Sequence, residues 1–152
     1  MRISITADHN GVALKARLSS WLRAQGHEVD DRAAEVSADE IVDYPRLCED
    51  VCLRVVQGEA DFAVVIGGGG SGETIACNKI KGIRAALVLE PFIAEVSRAN
   101  NDANVFVTGA KVLDAELAER LLATWLATPF KGERHQRRLE QIAALERGES
   151  LL

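Results

Sequence analysis

Asp61-Phe62-Ala63-Val64-Val65-Ile66 runs straight into Gly67-Gly68-Gly69-Gly70-Ser71-Gly72, and then into Glu73-Thr74-Ile75-Ala76-Cys77-Asn78-Lys79. The first segment is a short apolar run that reads as a buried strand, and the last reads as the opening of a helix. Between them stand five glycines in six residues, which strips away side chains and lets a ligand touch backbone amides directly. A strand–glycine loop–helix unit points free N–H groups at an anion, and the helix dipole adds to the attraction. Glu73 at the rim would repel a phosphate, but it suits a base working beside donors that hold an oxyanion. A tight turn followed by an acidic first helical turn is the plainer reading, yet such a turn has no need of five glycines.

Outward from this unit the chain alternates. Arg2 to Ala7 is a strand, and Val12, Leu14, Leu18, Trp21 and Leu22 recur at helical spacing as far as Ala24, where Gly26 supplies the stop. His27 to Asp30 is a second strand, and Asp31 to Asp43 a polar loop. Pro45 opens a helix that runs to about Gln57. After the glycine unit come a strand at Ile83 to Leu89, a helix from Pro91 to about Asn101, a strand at Asn104 to Thr108, a helix from Ala115 to Thr128, and a last helix ending near Glu146. This predicts an α/β fold: a doubly wound five-stranded parallel sheet in a three-layer αβα, Rossmann-like arrangement with a C-terminal helix, as one domain over residues 1–152. Right-handed crossovers favour the strand order 2-1-3-4-5, with a ligand crevice where the first and third strands diverge. Asp8-His9 ends the first strand and the glycine loop ends the third, so two chemical signals converge there.

Composition narrows the function. The chain has 152 residues, 47% hydrophobic and 27% charged, with a net charge of −5, which argues against a general nucleic-acid role. No apolar run approaches a membrane span, and Arg2 leads directly into a strand, so no signal peptide is expected. Cys48 and Cys52 share a helical face at i, i+4 and read, with Cys77, as core thiols rather than metal ligands; a cytoplasmic location is expected.

In Asp8-His9-Asn10-Gly11, Asp8 or Asn10 could simply cap the following helix. His9 could instead donate to a phosphate or polarise a sugar oxygen, and Asp8 could handle protons or hold a hydroxyl. His27 reads as a surface histidine. Lys131, Arg134, Arg137 and Arg138 put four cations into eight residues of an acidic chain. Arg134 and Arg138 are one helical turn apart, and cations at a helix start oppose its dipole. A bidentate pair aimed at a phosphate accounts for them, with a solvated or salt-bridged face as the alternative. A patch this short suits a small phosphorylated metabolite.

Taken together, Ala7-Asp8-His9 with Gly11, Asp43-Tyr44-Pro45, Gly58-Glu59-Ala60-Asp61, the glycine loop with Ile75-Ala76-Cys77-Asn78-Lys79, Gly82-Ile83-Arg84-Ala85-Ala86, Asn101-Asp102-Ala103-Asn104-Val105, Gly109-Ala110-Lys111-Val112 and Gly132-Glu133-Arg134-His135-Gln136-Arg137-Arg138 resemble the ribose-5-phosphate isomerase type B and galactose-6-phosphate isomerase family nearly end to end. The resemblance implies a flavodoxin-like sheet, no metal or organic cofactor, and a homodimer (or a dimer of dimers) whose active sites draw on both subunits. It implies isomerisation of a small phosphorylated sugar, aldose to ketose, by a 1,2-proton shift through a cis-enediolate. Catalysis would fall to Glu73, Asp8, His9 and position 100. Substrate would be held by Tyr44, Gly67, Gly68, Gly69, Gly70, Ser71, Gly72, Asn101, Lys111, Arg134 and Arg138.

Three departures shape the expectation. Many members carry a catalytic cysteine where this chain has Gly67, which excludes a thiolate base here; another branch uses a glutamate that Glu73 matches. Gly69 stands where a serine or threonine is frequent, and Ser71 is the nearby hydroxyl. Asn100 replaces a histidine associated with ring opening, so an open-chain tetrose phosphate competes with ribose 5-phosphate as the expected substrate. The rival class is a non-catalytic doubly wound phosphate- or nucleotide-binding regulatory module. A receiver would want an aspartate at Gly67, and a dinucleotide site a G-x-G-x-x-G after the first strand; neither is present.

Overall fold

A computed structural model describes residues 1–152. Five parallel strands are joined by helices in the order β1 (Arg2–Ala7), α1 (Val12–Ala24), β2 (Glu28–Asp31), α2 (Tyr44–Val56), β3 (Phe62–Gly67), α3 (Ser71–Cys77), β4 (Ala85–Leu87), α4 (Pro91–Ala99), β5 (Val105–Gly109), α5 (Ala115–Ala127) and α6 (Arg134–Glu146). The three-layer arrangement expected from the alternation is present. The α1, α4 and α5 helices cover one face over Leu18, Leu22, Leu121, Leu122 and Trp125, whereas α2 and α3 cover the other over Cys48, Val51, Cys52 and Cys77. Trp125 is fully buried and meets Phe62 and Phe106 edge-on, at ring-centroid distances of 5.1 and 5.8 Å.

The strand order is β2-β1-β3-β5-β4, not the expected 2-1-3-4-5. Every residue of β5 is buried, while the three residues of β4 are only half-buried. Val105-Phe106-Val107 carries bulky side chains to both helical layers and belongs inside the sheet. The short, alanine-rich β4 suits an edge. The exchange matters for function, because β5 and not β4 now flanks the glycine-bearing β3, with Gly67 in register with Gly109.

The first crossover is closed by sharp local signals. Helix α1 ends in a Schellman arrangement, with His27 N–H donating to the Leu22 carbonyl and Gly26 N–H to that of Arg23. At its start the N-cap is Gly11, with no side-chain cap, so neither Asp8 nor Asn10 caps the helix in the ordinary way. Helix α6 stands outside the two layers and is tied at its ends. Lys131 N–H donates to the Ala99 carbonyl at 2.9 Å, and Glu146 Oε1 accepts from Gly82 N–H at 2.8 Å. No helix is long and apolar enough to cross a membrane.

Candidate active site

The carboxyl ends of β1, β3 and β5 meet at one crevice. Gly70 takes a left-handed φ of 82° as the N-cap of α3, a conformation open to glycine at no steric cost. This turn sets Glu73 in the first helical turn and points it inward: Glu73 is only 5% exposed. A Cβ built on Gly67 would collide with the carboxylate of Glu73, so that carboxylate fills the space a side chain at 67 would take. Burial pushes the Glu73 carboxyl above its ordinary range and the nearby Asp8 charge adds to this, against an opposing hydrogen bond from its own backbone amide.

The loop around it presents donors. The N–H groups of Gly68, Gly69 and Gly70 donate to no protein acceptor. The carbonyls of the loop face the other way and are used structurally: Gly67 accepts from Ala110 N–H at 2.8 Å and Gly68 from Lys111 N–H at 3.0 Å. These two bonds pin the β5–α5 turn to the glycine loop and bring Lys111 to the crevice, which follows from the strand order. Tyr44 comes from the start of α2 and places its hydroxyl against Gly72, where a Cβ would collide with it. Ser71 and Gly69 are exposed at the rim.

The Asp8 carboxylate is tied into its own turn. One oxygen accepts from the N–H groups of Asn10 and Gly11 at 2.8 and 3.2 Å, and the other accepts from Asn10 Nδ2 at 2.8 Å. His9 is partly exposed, with Nε2 3.2 Å from Asn10 Nδ2 and Nδ1 3.5 Å from Val42 N. The three thiols are buried; Cys48 Sγ points at the Glu73 carbonyl 3.8 Å away, and hydrogen bonding with Cys77, then burial, raises the Cys48 thiol far above the ordinary range. Buried in this way, the thiols of Cys48 and Cys77 favour the protonated form.

Not every candidate residue gathers here. Asn100 and Asn101 follow α4 at the end of the sheet where β5 begins, opposite Glu73. Asn100 holds a buried Oδ1 with no donor, and Asn101 lines a cavity of about 420 Å³ together with Asn78, Arg84, Ser97 and Glu146. The bond from Lys131 to Ala99 brings the start of α6, and with it Arg134 and Arg138, to this same far end. Both arginines are exposed and, like Lys111, form no ion pair, which removes the salt-bridged-face reading. Between them His135 is buried, and its pKa is lowered by burial and by Arg138, Arg134 and Lys131. One chain thus presents two candidate half-sites at opposite ends of the sheet: a buried carboxylate with free amides, and a cationic patch with two asparagines. Sequence reasoning overlooked Asn10, whose cap-forming character masked its contacts with site residues, and Gly109, against whose Cα the Gly69 backbone packs.

Known proteins share this fold. The model of the Ribose/Galactose Isomerase family matches residues 3–142. Ribose-5-phosphate isomerase B of Escherichia coli is 41% identical over 145 residues, covering 95% of this chain and 96% of that one. The structure of Clostridium thermocellum ribose-5-phosphate isomerase B superposes with a TM-score of 0.94 at 39% identity, covering 99% and 100% of the two chains. That of the Mycoplasma genitalium ribose-5-phosphate isomerase B with bound ribulose-5-phosphate gives 0.89 at 31% identity, with 96% of each chain covered. The chain belongs to the ribose/galactose isomerase family.

Proposed function

We propose that this chain interconverts a phosphorylated aldose and its ketose by a cofactor-independent 1,2-proton shift, with Glu73 as the base. The observation that carries the reading is the buried Glu73 carboxylate beside the unengaged amides of Gly68, Gly69 and Gly70. Glu73 takes the proton from the carbon next to the carbonyl and returns it to the neighbouring carbon. The loop amides hold the oxyanion of the cis-enediolate, which is ordinarily the larger electrostatic contribution. Burial raises the basicity of Glu73 toward the working range for general-base catalysis. The names of the relatives favour ribose 5-phosphate and ribulose 5-phosphate as the substrate pair.

The separation of the two half-sites supports a homodimer in which Asn100, Asn101, Arg134 and Arg138 of one copy face Glu73 of the other. Arg134 and Arg138 bind the phosphate as forks, with His9 and Lys111 assisting. Tyr44 and Ser71 contact sugar hydroxyls from the rim. The whole chain acts as a single isomerase domain, and such a metabolic role suits the cytoplasm. A non-catalytic phosphate-binding module has no use for a base buried beside free amides. Incubation with tetrose, pentose and hexose phosphates in deuterated solvent decides between the two. Solvent deuterium entering the sugar next to the carbonyl supports the isomerase, and its absence across the panel refutes it.

A further inference from the structure

The Asn10 side chain touches three parts of the crevice at once. Its Nδ2 donates to Asp8 Oδ2 at 2.8 Å and lies 3.2 Å from His9 Nε2. The same nitrogen and its Cγ would be 3.2 and 3.3 Å from a Cβ on Gly68, so the amide rests against the first of the unengaged loop residues. Its orientation is fixed by chemistry: turned over, the amide oxygen would face the Asp8 carboxylate, acceptor against acceptor. Helix capping does not explain it, because the N-cap is Gly11 and no side chain caps α1. The amide also helps fix the position of the Asp8 carboxylate, whose charge acts on Glu73.

We propose that Asn10 is a positioning residue of this isomerase site: its amide locks the Asp8 carboxylate, the His9 ring and the Gly68 backbone into one arrangement around Glu73. The proposal rests on the isomerase reading above. Asn10 needs no contact with the reacting atoms. It joins the β1–α1 turn to the glycine loop, so a change there moves the amides and alters the field felt by the base. The ionisable groups around Glu73 are the Asp8 carboxylate, the Cys48 and Cys77 thiols and the Tyr44 hydroxyl beside Gly72. A second carboxylate at position 10 would therefore add to the one negative charge already there.

The test uses N10A and the near-isosteric N10D, measured on ribose 5-phosphate as kcat, KM and the pH profile of kcat/KM, with thermal melting as the check on folding. N10A is expected to lower kcat by about tenfold with a smaller change in KM, as for a displaced site. N10D is expected to move the acidic limb to higher pH, because it adds a carboxylate beside Asp8, while the kcat-against-KM split of N10A separates positioning from a purely structural role. An active parent whose N10A variant keeps kcat within about twofold and whose N10D variant keeps the acidic limb would overturn the proposal and leave the isomerase reading intact. A parent inactive on every sugar phosphate of the panel would end both.

Discussion

The Glu73 carboxylate lies in the volume that a side chain on Gly67 would occupy, so a side chain there would have to displace it. Gly67 ends β3 and Glu73 sits in the first turn of α3, yet the intervening loop folds back far enough to superimpose their reach. The absence of a side chain at Gly67 and the inward placement of the Glu73 carboxylate go together.

Gly67→Ala should therefore act on catalysis through displacement of Glu73. The added methyl has the carboxylate as its nearest neighbour, and overpacking of this kind destabilises by about 1–3 kcal/mol. Turnover should fall by about a hundredfold while the protein remains folded. Steady-state kinetics with a thermal melt checks this, and a fully active Gly67→Ala variant would show that the carboxylate is free to move.

The pH dependence follows from the raised pKa of Glu73. The base works when ionised, so the acidic limb of kcat/KM should lie above the ordinary value of 4.5. The folded state holds the Glu73 proton more tightly than the unfolded chain does. Stability from this group is thus greatest below the ordinary value and declines as pH rises through the raised one. Glu73→Gln should then melt higher than the parent at neutral pH, with the gain shrinking on acidification. A Glu73→Gln variant that melts lower at neutral pH contradicts the assigned direction.

Sharing of the site between two copies is open to complementation. Glu73→Gln and Arg138→Ala homodimers should each be impaired, the second chiefly through a higher KM. After mixed refolding, random pairing gives about half heterodimers, each with one intact site, so about one quarter of sites should recover. No recovery above the sum of the separate variants would place Glu73 and Arg138 in independent sites.

Much of the fold was legible because its signals are local. The limits of β1 and α1 follow from an apolar run and a helical repeat closed at Gly26, and both matched the structure. The position of β5 was not legible. Both β4 and β5 are short apolar runs, and the choice between interior and edge depends on how Val105, Phe106 and Val107 pack against helices on both faces. Glu73 stood out in the sequence as a carboxylate at the rim of a glycine loop, whereas its reach over Gly67 depends on the left-handed turn at Gly70. Asn100 and Arg138 carried chemical signals without location, and the fold sets them at the end of the sheet opposite Glu73.

Substrate range can be tested at Asn100. An amide can hydrogen-bond a hydroxyl but cannot relay a proton near neutral pH as imidazole does. Asn100→His should raise activity on ring-forming sugar phosphates and leave an open-chain tetrose phosphate little changed. Efficient turnover of ribose 5-phosphate by the parent, with no gain in the variant, would mean that ring opening is served elsewhere in the site.

The most direct measurement is solvent-hydrogen exchange into a bound sugar phosphate by the Glu73→Gln variant, followed alongside its binding affinity. Glutamine keeps the shape of the side chain and removes the base. Exchange and turnover should drop together by about 10²–10⁴-fold, the usual weight of a positioned general base, with affinity nearly unchanged. Exchange at the parental rate in that variant would show that another group moves the proton and would contradict the account.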